Sequence, residues 1–146
     1  ASYLNRETIN HSSEPCGLCL KPSPMCRFVL QVQKGTIGVD FAKSTCARLA
    51  KFSYGPASTP FQANPCGNVP VKCSYCPKGS SAVWRYNLDA HYRAKHSPAL
   101  PLTELAITNF EIEGLKLLWD NRHTANCMEV RRRKRHKPHF VISEAH

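Results

Sequence analysis

The stretch Cys73–His96, CSYCPKGSSAVWRYNLDAHYRAKH, decides how this chain is read, because it sets two cysteines and two histidines in the order C-x2-C-x14-H-x4-H. Cysteines two residues apart can turn both sulfurs into one site, and histidines about one helical turn apart project from one side of a helix. Two thiolates and two imidazoles satisfy a tetrahedral Zn²⁺. The joining segment predicts the helix: it has no Gly or Pro from Ser80 to His96, Ser80 or Ser81 can cap its start, and Pro98 stops it just beyond His96. At about 100° per residue, Trp84, Leu88 and His91 share one face, which places an apolar wedge beside the first imidazole. His96 falls slightly off that face, so the last turn is expected to tighten or unwind to deliver its ring.

Upstream lie Cys16, Cys19, Cys26, Cys46 and Cys66, one thiol more than a tetrahedral site holds. Cys16 and Cys19 form a second C-x2-C knuckle among Pro15, Gly17, Pro22 and Pro24. RFVLQV and TIGVDF, separated by Lys34 and Gly35, predict a hairpin whose open ends bring Cys26 and Cys46 back near the knuckle. Either can be the third ligand. A further strand is expected at LAKFSY, and the loop GPASTPFQANP leads to Cys66. The ligand set chosen from these is Cys16, Cys19, Cys46 and Cys66, with Cys26 buried at the start of its strand; replacement of Cys46 or Cys66 by Cys26 is the open alternative. The run C-x2-C-x6-C matches half of a binuclear Zn2Cys6 cluster, but its second half is missing. Two zinc ions per chain are expected.

Composition agrees with metal in place of a large core. The 146 residues are 42% hydrophobic, and eight cysteines mean disulfides outside the cell or metal inside it. The C-x2-C pairs, the histidines and the basic tail favour the reduced compartment. No secretory signal opens the chain and no apolar run approaches transmembrane length, so neither secretion nor membrane insertion is expected. The absence of an initiator Met points to a piece of something longer. After the extended linker PALPL (98–102), Thr108 and Glu111 give a T-x-x-E capping box. The helix it opens carries Phe110, Ile112, Leu115, Leu117, Leu118 and Trp119 and is expected to pack on the cysteine-rich body, with Trp119 in the core; Gly114 either weakens it by about 1 kcal/mol relative to Ala or permits close contact with a neighbour. Arg131, Arg132, Arg133, Lys134, Arg135 and Lys137 then supply more than half of the net charge of +10. Such a run repels itself, so its partners are phosphates, an import receptor or water. Cys127 is left as an unligated thiol.

Through CSYCPKGSSAVWRYNLDAHYRAKH the chain resembles the C2H2 zinc fingers and, more loosely, the BED-type fingers, with Leu88 standing three residues before His91 where those families keep an apolar residue. Fourteen residues separate Cys76 from His91 where the common pattern has about twelve. CGLCLKPSPMC, KFSYG, CGNVPVKCSYCPKGSSAVWRYNLDAH and ISEAH are similar to stretches of a large, mostly uncharacterised group of fungal cysteine-rich finger proteins, which implies that both cysteine regions form one unit. The expected fold class is α+β: a small zinc-stabilised domain with a cysteine-rich β region (1–70), a ββα-like finger (71–98), a linker and amphipathic packing helix (99–123) and a basic tail (124–146).

The leading functional expectation is a nuclear, zinc-dependent module for duplex DNA, with the finger helix in the groove and the basic tail on phosphates. Aligning Leu88 with the apolar position of an ordinary finger puts Trp84, Asn87 and Ala90 at base-reading sites. Asn87 is the persuasive reader, since its amide can pair with adenine. Arg85, Tyr86, Arg93 and Lys95 are assigned to nucleic-acid contact beside it. The alternative is a protein-interaction module in which zinc acts only as a staple. An enzyme is not expected, because catalytic zinc keeps an open position and the deaminase signature is absent; nor is a small-molecule substrate.

Overall fold

A computed structural model of the chain describes residues 14–22, 24–97 and 103–123. The linker 98–102, Cys127 and the basic residues 131–137 lie outside this set. The alternating, β-rich segments on either side of Lys34 and Gly35 form strands β1 (Leu30–Gln33) and β2 (Thr36–Val39), paired antiparallel from Leu30↔Val39 to Gln33↔Thr36. Lys34 and Gly35 have φ of 51° and 78°, the two-residue left-handed turn that matches the twist of the flanking strands.

Past Leu30 the ladder changes step. Asp40 Oδ1 accepts from the backbone N–H groups of Ala42 (3.1 Å) and Lys43 (3.2 Å), while Ser44 Oγ donates to the Asp40 carbonyl at 2.7 Å and accepts from Val29 N–H at 3.0 Å. This turn absorbs three extra residues, so the next pair is Arg27↔Thr45, closed by bonds of 3.0 and 2.7 Å. Cys26 and Cys46, one step beyond that pair, are thereby set side by side.

A second antiparallel pair, β3 (Pro70–Val71) with β4 (Val83–Trp84), holds Cys73 and Cys76 in its connecting loop. The helix expected from Ser80 or Ser81 begins later: Val83 and Trp84 are extended, Arg85–Asn87 makes one 3-10 turn, and α2 runs over Leu88–Lys95. β-Branched and aromatic side chains favour a pleated surface, and successive strand residues face opposite ways. Val83 therefore joins Val69, Val71, Leu88 and Tyr92 in one core cluster, while Trp84 joins Cys16, Phe28 and Val39 in another. Trp84 meets Phe28 edge-on at 5.0 Å and does not share a face with Leu88 and His91. The C-terminus of α2 unwinds as expected, with His96 as the cap at φ −131° and ψ 22°.

The strand expected at LAKFSY does not form: residues 49–53 adopt no regular structure, and short helix α1 (Tyr54–Ser58) begins at its last residue. Pro56 is tolerated in a first helical turn but cannot donate to a ladder, and Tyr54 Oη donates to the Pro70 carbonyl at 2.8 Å. The upstream region and the Cys73–His96 segment are joined edge to edge. Ala82 N–H donates to the Phe28 carbonyl at 2.8 Å, and Phe28 N–H donates to Ser81 Oγ at 3.0 Å.

Helix α3 (Asn109–Asp120) opens on the expected capping box between Thr108 and Glu111. Its packing departs from expectation. Gly114 lies so close to the Pro65 ring that a methyl group would overlap it, but the C-terminal half overhangs the body. Trp119 is 65% exposed and stacks under the Arg122 guanidinium at 3.9 Å, and Leu117 is 63% exposed. The docking contact of this helix is polar, centred on Glu111.

Candidate metal centres

Two clusters among the described residues could hold a metal ion: Cys16, Cys19, Cys26 and Cys46, and Cys73, Cys76, His91 and His96. Within each, all four ligand atoms lie within 4.8 Å of one another. In the first, Cys16 and Cys46 Sγ are 3.7 Å apart and Cys19 and Cys26 Sγ 3.3 Å. A tetrahedral ion with metal–sulfur bonds of about 2.3 Å requires sulfurs about 3.8 Å apart, so the set fits such an ion with small adjustments. Backbone N–H groups of Leu18 and Arg48 point at Cys16 and Cys46 Sγ, both at 3.4 Å, and would stabilise thiolate charge.

This corrects the upstream ligand set. Cys26 takes the place given to Cys66, because the three-residue offset in the return strand brings both open ends of the hairpin to the knuckle. Cys26 is half-buried rather than a core residue. Cys66 lies elsewhere, beside the Tyr86 phenol, whose pKa is raised by burial and then by that neighbour.

In the second cluster, Cys76 Sγ is 3.4 Å from His91 Nε2 and 3.3 Å from His96 Nε2, so both imidazoles turn the same nitrogen inward. Buried Cys73 completes the set. The imidazole of His96 is boxed by Tyr75 and Tyr92, at 5.7 and 5.8 Å between ring centres. Burial raises the Cys16, Cys26 and Cys76 thiols above their ordinary range. Cys19 is the exception: against the upward push of burial, hydrogen bonds from the Lys21 backbone and neighbouring thiols bring it down to about 7. A cation entering either cluster must displace thiol protons, so binding would weaken as pH falls.

The residues assigned to nucleic-acid contact divide sharply. Arg85 is not free for phosphate. Its Nη1 and Nη2 donate to the two Glu111 carboxylate oxygens at 2.6 and 2.7 Å, and its remaining N–H groups go to the carbonyls of Leu105 (3.0 Å), Gly67 (3.1 Å) and Ala106 (2.7 Å). Glu111 is fully buried, and Arg85 holds its carboxyl down to about 2. Tyr86 is half-buried, with its Oη accepting from Gly67 N–H at 3.1 Å and donating to Glu111 at 3.2 Å. Asn87 is 8% exposed, and its amide donates to the Pro15 carbonyl at 2.6 Å, which removes it as a base reader. Arg93 and Lys95 are exposed. Arg93 pairs with Asp89 at 2.6 Å on the helix surface, and Lys95 reaches Glu14 at 3.2 Å.

These contacts also reveal functional residues that motif spacing does not. Glu14 touches His91 from 77 positions away, and Glu111 closes on Arg85 from 26 away. Spacing can mark a ligand, but neither of these partners is local. The geometry defines a small mixed α/β protein with a four-cysteine and a two-cysteine, two-histidine cluster. Comparison with protein-family models, curated proteins and solved structures gave no match. Among the described residues, no helix is long and apolar enough to cross a membrane.

Proposed function

We propose that this chain is a zinc-stabilised nucleic-acid-binding module that holds duplex DNA by its phosphate backbone. Thiolate-rich, four-coordinate sets suit zinc, and four protein ligands leave no open position for catalysis, which supports a structural role for the metal. The observation that carries the DNA reading is how the fold distributes charge. Glu14, Asp40 and Glu111 are turned inward against protein donors, and exposed Asp89 is paired with Arg93, whereas Arg27, Lys51, Lys72 and Lys78 face solvent against the exposed acids Glu113 and Asp120. The six basic residues of 131–137 add to that excess in a chain of net charge +10, and the same run suits an import receptor and nuclear residence.

Attachment of this kind carries little base readout. With Asn87 spent internally, the finger has lost its one persuasive base reader, and Arg85 is no longer free for a phosphate. Duplexes of unrelated sequence are expected to bind within about threefold of one another, with log Kd linear in log salt. Replacing all six basic residues of 131–137 by Gln is expected to flatten the slope by about 5, near 0.9 per phosphate. Fluorescence anisotropy across a salt series checks both. Strong preference for one duplex would contradict backbone attachment, and no binding at low ionic strength would remove DNA as the ligand.

One observation favours a second reading, the interaction module. Phe110, Leu117, Leu118 and Trp119 are all at least half exposed on α3, and side chains of this type are costly to leave in water. Retained function after loss of all DNA binding, together with loss on Leu117→Ser, would select it.

A further inference from the structure

Glu14 stands two residues before Cys16, yet its carboxylate lies against the other metal centre, 3.0 Å from His91 Nδ1 and 3.2 Å from Lys95 Nζ. His91 turns Nε2 to Cys76. An imidazole that ligates through Nε2 carries its proton on Nδ1, and that proton needs an acceptor when the ring is buried. Glu14 is that acceptor. Its φ of 50° is in the left-handed region that a non-glycine residue adopts at a cost, so surrounding contacts hold it there.

The neighbours of Glu14 supply those contacts. The Pro15 carbonyl accepts from the buried Asn87 amide at 2.6 Å, and Cys16 is a member of the four-cysteine cluster. Gly17 passes so close beneath the six-membered ring of Trp84 that a methyl group would overlap it. Residues 14–17 therefore form a strap with one end in the four-cysteine cluster and the other on the inner histidine of the second.

We propose that Glu14 is an outer-sphere positioning residue of the Cys73/Cys76/His91/His96 centre, and that the 14–17 strap makes that centre's metal affinity depend on the four-cysteine cluster. The proposal rests on the zinc reading above. A carboxylate on Nδ1 fixes the ring and raises the basicity of the ligating nitrogen, and losing such a partner typically costs about 10- to 100-fold in affinity. The strap extends that dependence, because an unformed upstream cluster releases Glu14 and Pro15 from His91 and Asn87.

The test is titration of the full reduced chain with Co²⁺, whose visible bands separate a four-thiolate site from a two-thiolate, two-imidazole site, followed by zinc competition. Glu14→Ala should weaken the second centre about 10- to 100-fold and leave the four-cysteine site within about threefold of wild type. Glu14→Gln, which keeps an acceptor oxygen, should recover most of the loss. Cys46→Ser, which touches none of the second centre's ligands, should weaken it about tenfold. Wild-type affinity at the second centre in Glu14→Ala would overturn the positioning role, and wild-type affinity there in Cys46→Ser would overturn the coupling. A Glu14→Ala chain that stays unfolded at saturating zinc would also overturn the assignment, by showing a folding role instead. A wild-type chain that takes up no tetrahedral metal would defeat the zinc reading itself, a result distinct from two loaded sites indifferent to Glu14.

Discussion

Cys26→Ser is expected to bind one zinc ion per chain where the unaltered protein is expected to bind two, and Cys66→Ser is expected to keep both. Cys26 Sγ lies 3.3 Å from Cys19 Sγ within a set whose ligand atoms are all within 4.8 Å. Serine cannot replace a thiolate there, and a structural zinc site is worth on the order of 10 kcal/mol of folding energy in small domains. The upstream half has little else to hold it. Its buried core is Cys16, Phe28, Val39 and Trp84, and two of these rely on strands of four or fewer residues. Native mass spectrometry reads the stoichiometry, and thermal unfolding reads the loss of the upstream half. For Cys66→Ser, which sits beside a phenol and not in a cluster, the expected change in stability is below about 1 kcal/mol.

Glu111→Gln will cost about 3 kcal/mol and release α3 from the body. The substitution leaves the Arg85 guanidinium, with five hydrogen bonds in the native protein, buried without its counter-ion. Breaking a buried pair from one side is destabilising by about 3–5 kcal/mol, far more than an exposed pair such as Arg93–Asp89 contributes. Little else anchors this helix, since Leu117 and Trp119 remain exposed and Gly114 makes the close contact with Pro65. Hydrogen exchange of the α3 amides should rise well before that of α2. The pH dependence has a definite sign. Arg85 holds Glu111 down to about 2, so the pair's contribution is complete above the ordinary carboxylate range and is lost only as pH falls toward that value. Zinc held by thiolates would be displaced by protons as pH falls, so acid unfolding is expected to begin at the two clusters.

Much of this architecture is written locally. The C-x2-C pairs, the two histidines, the turn at Lys34 and Gly35 and the Thr108–Glu111 box are short-range patterns, and each forms as the sequence predicts. The unwinding at His96 follows from an offset of five residues from His91. What escaped the sequence is set by tertiary register. Choosing Cys26 over Cys66 requires knowing that the Asp40–Ser44 turn shifts the hairpin by three residues. Starting the helix at Ser80 instead of Leu88 followed from the absence of breakers, whereas Val83 and Trp84 are drawn into β4 by two separate cores.

Polar roles were harder still. Asn87 and Arg85 carry side chains that suit DNA, and only the positions of Pro15 and Glu111 show that both are consumed inside the protein. Conversely, the apolar residues of α3 read as core because their periodicity fits a helix face, but the helix buries Glu111 and half-buries Gly114 and Leu115, while Phe110, Ile112, Leu117, Leu118 and Trp119 stay exposed. Glu14 gave no signal at all, since nothing in a single carboxylate announces a histidine 77 positions later.

Metal is expected to organise the two clusters into one folded body, and the amide NMR spectrum of the reduced chain, recorded before and after metal removal, is the decisive measurement. Exhaustive chelation should collapse the dispersed resonances of 24–97, and adding two equivalents of zinc should restore them. A spectrum that keeps its dispersion without metal, with unchanged melting temperature, would contradict it.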